Sequence, residues 1–401
     1  MACYKEQLID RLRQFIRIPS RSSSAGGEEG VLQHLIASEM SRLGARVAVL
    51  KESDVAGFRT HSLCHGPNRN YSGRPTVIGE LGPTHGPALL VLAHSDTVQV
   101  YQPDLWTLDP FSGELRDGSI YGLGASDDKW GLAAMLTMMQ AVQDSGLAPR
   151  KKLIFASTID EENGVGNGTL LLHLSGVRAE AALYLDGANM EINVGCLGGS
   201  NLYLDPIKTL SPERILRDFT SLTDACKTFS RQRIPLFNRP YYERNAVEDC
   251  SVQVIQRRDD AGVRLVVSFY TLPDERATEF CGQLESVVED ALGAHILDYR
   301  RNYRQPWFEA AFVSPQMPLV KYLTASLTEI FGEPPNITTI SKQDSFVLTN
   351  HSDIPTISFG CTRRFNQRGA FHNPDERLEV DELWNGFRAA YGAVCRWLEG
   401  D

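Results

Sequence analysis

Paired cysteines are missing from this chain. Its eight cysteines are scattered from Cys3 to Cys395 without a shared spacing, and none stands in a Cys-x-x-Cys pair. This excludes a disulfide framework and a thiolate zinc site, and it suits reduced thiols in a cytoplasmic protein. Long apolar runs are missing as well. No stretch nears the roughly 20 residues that span a bilayer. No basic segment followed by an apolar one opens the chain, where residues 4–16 alternate charge and apolarity as an amphipathic helix does. No membrane association is therefore expected. A basic surplus is absent too, since the net charge of -10 argues against a nucleic-acid surface. Internal repeats and low-complexity linkers are also lacking.

What is present is a series of apolar runs that end in polar clusters. With 401 residues, 42% of them hydrophobic and 22% charged, the chain is an ordinary globular protein too long for one core, and two domains are expected. Residues 88–93 lead into His94-Ser95-Asp96, and residues 152–159 into Asp160-Glu161-Glu162. Residues 181–185 end at Asp186, and residues 354–359 precede the segment from Phe371 through His372 to Glu376. A fifth cluster, Asp127-Asp128-Lys129, opens the helical stretch 132–139. Continuous apolar runs suit strands buried on both faces of a largely parallel sheet covered by helices. Ligands in such sheets bind beyond the carboxyl ends of the strands. One shared site is the economical reading.

Its inventory is His94, Asp127, Glu162, Asp186 and His372, with Glu161 beside them. Two imidazoles and three carboxylates suit a pair of divalent ions, most simply Zn with Co or Mn as substitutes. Each ion would hold one histidine, one terminal carboxylate and a shared carboxylate. Asp96 is spaced to orient the other ring nitrogen of His94. Adjacent glutamates can divide labour, one on a metal and the other holding a proton.

This ordered set resembles a known family, the co-catalytic metallopeptidases. That family includes acetylornithine deacetylase, succinyl-diaminopimelate desuccinylase, aminoacylase, glutamate-releasing carboxypeptidases and several dipeptidases. The resemblance covers nearly the whole chain, from the opening residues 8–20 to His372-Asn373-Pro374-Asp375-Glu376. It implies His94 on one ion and His372 on the other, Asp127 bridging, Glu162 and Asp186 as terminal ligands, and Glu161 as general base. It also implies a cis peptide between Asp127 and Asp128. The implied chemistry is attack of a metal-bridged hydroxide on an amide, with Glu161 passing the proton to the leaving amine.

Between residues 201 and 303 the order strand, helix, strand, strand, helix, strand reads as a ferredoxin-like sandwich. The helices are expected at 212–229 and 275–292. The domains are expected at 1–198 with 304–401 for catalysis, and at 199–303 for an inserted lid through which the family resemblance implies a homodimer. The chain departs from the family in three respects. No histidine lies between His173 and His295, so the usual lid histidine is missing and Asn245 is a substitute candidate. Trp130 stands where glycine is usual, suggesting an aromatic wall to the pocket. Asp186 stands where acyl-removing members often carry Glu.

Lys342, Arg363 and Arg364 are candidates for a substrate carboxylate, to which an arginine fork is suited. The polar loop 61–74 either borders the site or is a surface excursion; the residues alone do not decide. The leading functional reading is an amidohydrolase of N-acyl amino acids. The alternatives are a dipeptidase or aminopeptidase, and a silent binding protein of the same fold. A dinucleotide site at Gly122-Leu123-Gly124 is excluded, because Asp127 takes the third glycine position.

Overall fold

The structure is a computed structural model that describes residues 2–146, 151–243, 251–259, 262–304 and 307–400. The chain begins with α1 (Ala2–Ile16), α2 (Gly30–Arg42), β1 (Arg46–Leu50), β2 (Thr76–Leu81), β3 (Ala88–His94), β4 (Glu114–Arg116) and β5 (Ser119–Tyr121). It continues through α3 (Lys129–Asp144), β6 (Lys152–Thr158), α4 (Glu161–Gly164), α5 (Asn167–Leu174), β7 (Ala181–Tyr184) and β8 (Ile192–Cys196). Next come β9 (Gly198–Pro206), α6 (Pro212–Phe237), β10 (Val252–Asp259), β11 (Gly262–Thr271), α7 (Ala277–Leu292), β12 (Tyr299–Tyr303) and β13 (Ala311–Phe312). The chain closes with α8 (Pro318–Phe331), β14 (Ile337–Ile340), β15 (Thr356–Phe359), β16 (Arg377–Glu379) and α9 (Val380–Glu399).

Two compact units result, one of residues 1–194, 313–337 and 344–401, the other of residues 195–312 and 338–343. The first is a mixed sheet in the order β1-β2-β6-β3-β7-β15-β8. Its centre, β6-β3-β7-β15, is parallel, and the outer pairs are antiparallel. Every residue of β3 is buried, as its unbroken apolar run requires of a strand covered on both faces. The parallel centre aligns the carboxyl ends of β3, β6 and β7, which deliver His94, the Asp160–Glu162 turn and Asp186 to one rim.

Helix α3 is buried nearly all round, because its apolar residues are not confined to one stripe. Trp130 belongs to that buried face: it is fully enclosed, edge-on to Phe359 with ring centroids 6.4 Å apart. It is therefore core packing and not the pocket wall expected from sequence.

The second unit carries an antiparallel sheet in the order β10-β11-β9-β12 with α6 and α7, in the β-α-β-β-α-β succession. Its core joins Leu202 and Leu204 of β9, Val267 and Phe269 of β11, Leu222, Cys226 and Phe229 of α6, and Phe280 and Leu284 of α7. Ser211 caps α6 by accepting from the Arg214 amide at 3.2 Å, with Pro212 in the first turn. The helix runs eight residues past its expected end at Phe229. Arg233 and Phe237 continue the buried stripe of Phe229 at four-residue spacing, and the Arg233 guanidinium lies 4.4 Å from the Phe280 ring centre. No helix among the described residues is long and apolar enough to cross a membrane.

Candidate metal centre and active site

Asp127 stands between the two histidines of the site. Asp127 places Oδ1 3.1 Å from Nε2 of His94 and Oδ2 3.2 Å from Nε2 of His372, one oxygen toward each imidazole. Glu162 Oε1 lies 2.9 Å from the same nitrogen of His372. Two groups have ligand atoms all within 4.8 Å of one another: Asp127, Glu162 and His372, and His94, Asp128 and Asp186. Asp127 and Asp128 are joined by the cis peptide that the resemblance implied.

Asp96 meets His94 through its main chain and not through the carboxylate expected from sequence. Its main-chain oxygen lies 3.0 Å from His94 Nδ1, whereas its carboxylate stands 3.6 Å from that nitrogen. The carboxylate instead accepts the amides of Glu161 at 2.9 Å and Glu162 at 3.0 Å. It thus caps the short α4 and ties the histidine loop to the glutamate turn. Burial would raise the Asp96 carboxyl, but His94 and those two amides outweigh it and hold it low.

Electrostatics separate the glutamates from the bridge. Burial pushes the Glu161 carboxyl well above its ordinary range, and the charges of Asp186, Asp344 and Glu162 push the same way. A carboxyl whose affinity for protons is raised in this way has the character of a proton-transfer group. Glu162 is raised too, chiefly by burial, with His372 opposing. Burial would lower both histidines, yet both lie well above 6.5: Asp127 and Asp96 hydrogen-bond His94, and the charge of Glu162 favours protonated His372.

The candidate substrate groups separate. Arg363 joins the cluster: Nη2 is 3.1 Å from Asp127 Oδ1 and also pairs with Asp186, and the side chain is 9% exposed. Arg364 pairs instead with Glu379. Lys342 belongs to the second unit, where Nζ lies 3.3 Å from Ser268 Oγ and 5.0 Å from the Tyr270 ring centre. Asn245 lies outside the described residues.

Three buried acids escaped the sequence inventory. Asp128 accepts the His94 amide through Oδ2 at 3.2 Å, while its buried Oδ1 has no hydrogen-bond partner among the described residues. Asp344 accepts from the Thr169 hydroxyl at 2.9 Å, has no partner on Oδ1 among the described residues, and is pushed up to about 7 by burial. Glu376 accepts the amides of Gly124 at 3.1 Å and Ser126 at 2.9 Å, fixing the loop that presents Asp127. Asp128 and Glu376 sat inside quoted motifs, so adjacency was the available signal. Nothing in the run Ser341-Lys342-Gln343-Asp344 marks it.

The donor set fits divalent ions. Several carboxylates and two imidazoles converge with Arg363, which pairs with Asp127 and Asp186, and among the described residues Asp128 Oδ1 has no hydrogen-bond partner.

Comparison with known proteins identifies the family. Residues 90–396 match the model of peptidase family M20/M25/M40. The chain belongs to that family, and it is a hydrolase of amide or peptide bonds. Succinyl-diaminopimelate desuccinylase of Rhodospirillum centenum is 25% identical over 337 residues, covering 79% of this chain and 82% of that protein. The desuccinylase of Bradyrhizobium sp. is 31% identical over 190 residues, 46% of this chain and 44% of that relative. The fold of the di-peptidase Dug1p from Saccharomyces cerevisiae matches with a TM-score of 0.76 at 14% identity, over 100% of this chain and 97% of that one.

Proposed function

We propose that this hydrolase is a deacylase that cleaves the amide of a small N-acyl amino acid or related amide, using two divalent ions, most simply zinc. The observation that carries the metal-centred reading is the bridge: one carboxylate, Asp127, aims one oxygen at each of two histidines. His94 and Asp186 would hold one ion, Glu162 and His372 the other, with Asp127 shared. Bound there, such ions supply Lewis acidity, acidifying water and polarising a carbonyl. Glu161 takes the proton of the attacking water and returns it to the departing amine. Asp96 holds the Glu161 and Glu162 amides and, through its carbonyl, His94.

The acyl preference follows the likeness to a desuccinylase over 79% of this chain. Asp186 favours a second reading, a dipeptidase or aminopeptidase, because this shorter carboxylate departs from the acyl-removing pattern. Arg363 is a candidate for substrate carboxylate once ions neutralise Asp127 and Asp186, with Lys342, Asn245 and Arg364 further candidates. A cytoplasmic homodimer, paired through the second unit, completes the proposal. It rests on the family resemblance and on cysteines without paired spacing.

The test is turnover of two panels by Zn- or Co-loaded protein, one of N-acyl amino acids and one of unblocked dipeptides. Cleavage of the acylated panel alone supports the deacylase. Cleavage of free-amine dipeptides alone replaces it with the second reading.

A further inference from the structure

The loop that sequence left undecided carries a buried ionic clamp. Arg69 and Arg74 are each under 5% exposed, although they lie in a polar, glycine- and proline-containing segment. Both grip Asp160, the residue directly before Glu161. Arg69 reaches it with a two-pronged fork, its Nε 2.9 Å from Oδ2 and its Nη2 on Oδ1. Arg74 Nη2 adds 3.0 Å to Oδ1, and the Tyr71 hydroxyl donates to Oδ2 at 2.8 Å. Arg74 is held in turn by Glu29, with Nε and Nη2 each 2.6 Å from a carboxylate oxygen. Tyr71 lies beneath the Arg59 and Arg74 guanidiniums, with Phe58 edge-on to its ring.

The gripped residue has an unusual backbone. Asp160 lies in the left-handed region at φ 62°, ψ 34°, which costs a residue with a side chain something the surroundings must offset. That turn swings the chain from the end of β6 into α4, and it sets where Glu161 and Glu162 leave the backbone. The turn is thus held at two points: Asp96 takes the amides after it, and the clamp takes the side chain at it. Gly164 closes the space from the far side, since a Cβ there would sit 2.3 Å from Asp160 Oδ2.

We propose that Arg69, Arg74 and Tyr71 are positioning residues for catalysis, acting through Asp160 to fix the proton-transfer carboxylate of Glu161 and the ligand carboxylate of Glu162. This rests on the roles given to those two glutamates above. Glu29, Asp96 and Asp160 also form a tight acidic group. Two guanidiniums fill it, so its role is mechanical and it is not a third ion site.

The experiment compares Arg69→Met, Arg69→Lys, Asp160→Asn and the double variant Arg69→Met/Asp160→Asn. Four quantities are read: kcat and KM on a panel compound that the wild type hydrolyses, ion affinity by chelator competition, and folding by urea titration. Arg69→Met is expected to lower kcat about ten- to a hundredfold with KM changed less than threefold, and to weaken ion binding by a similar factor, as removal of outer supporting groups does elsewhere. Arg69→Lys, which returns the charge but not the fork, should recover part of both. The double variant should be no worse than the poorer single one, because both break the same contact. Millimolar methylguanidine should raise the kcat of Arg69→Met.

If kcat and ion affinity stay within twofold of wild type while only urea resistance falls, the clamp is scaffolding and the inference is overturned. If Arg69→Met does not fold, Arg69→Lys decides by the same two readouts. If the wild type hydrolyses neither panel yet binds ions, the functional reading fails separately, and ion affinity still judges the clamp.

Discussion

Two buried acidic groups share Asp96 as their border, and they are neutralised differently. On one side, Glu29 and Asp160 are saturated by Arg69, Arg74 and Tyr71, every contact drawn from the chain itself. On the other, Asp127, Asp128, Glu162 and Asp186 converge with two histidines and Arg363, and Asp128 keeps an oxygen without a hydrogen-bond partner among the described residues. Buried charge must be compensated wherever it occurs. A group compensated by guanidiniums is finished and rigid. A group left with imidazoles and unsatisfied oxygens is built to receive ions. The two lie in one unit, so the finished group can serve as the anvil for the open one.

The largest effect should come from emptying the open group. His94→Ala and His372→Ala should each lose one ion by elemental analysis, and activity should fall at least about a thousandfold, since an ion contributes several kcal/mol of transition-state stabilisation. Retention of both ions by either variant would break the contrast at its root. Glu161→Gln should keep both ions and lose turnover by about 10²–10⁴-fold, the usual worth of a positioned proton-transfer group. Loss of ions in that variant would move Glu161 from base to ligand.

The two arginine settings give the next test. Removing one member of a buried pair costs about 3–5 kcal/mol, because the other charge is stranded. Arg74→Met should cost that much in urea titrations whether or not ions are present, since Arg74 is the guanidinium that grips Glu29. Arg363→Met should destabilise the metal-free protein but cost less than about 1 kcal/mol once ions neutralise Asp127 and Asp186. Equal costs with and without ions would show that Arg363 is a fixed strut like Arg74.

This contrast also explains what sequence could reveal. The open group was legible because its members end consecutive buried strands, so hydrophobic patterning and chain order exposed His94, the Glu161–Glu162 pair and Asp186 together. The parallel sheet was legible from the same unbroken runs. The finished group was not, because Arg69, Tyr71 and Arg74 sit in a loop whose composition reads as solvent-exposed, and their burial depends on a partner about 90 positions away. Asp344 was hidden for the same reason, being a lone carboxylate in a polar stretch. The extension of α6 from Phe229 to Phe237 passes through a polar residue, Arg233, and a proline, Pro235, which apolar periodicity does not carry. Its aromatic neighbours accommodate Arg233. Pro235 donates no amide hydrogen to the preceding turn, yet the helix continues to Phe237.

The smallest expected effect is a divergence with pH. In the metal-free protein, neighbouring carboxylates hold His94 and His372 above the ordinary value of 6.5, despite burial that opposes it. The folded state then binds more protons than the unfolded chain above that pH. Their contribution is fully present below pH 6.5 and is lost as pH rises through the raised folded values. Ion binding runs the other way, because both imidazoles must be neutral to ligate, and each displaced proton strengthens binding by about 1.4 kcal/mol per pH unit. Melting curves at pH 6, 7 and 8 should therefore show metal-free protein losing stability as the gap to ion-loaded protein widens. The clamp holds no histidine, so Arg74→Met should lower both curves without altering how they diverge. A gap constant across that range would mean the histidines are already neutral in the metal-free fold, and that Arg363 alone balances the open group until ions arrive.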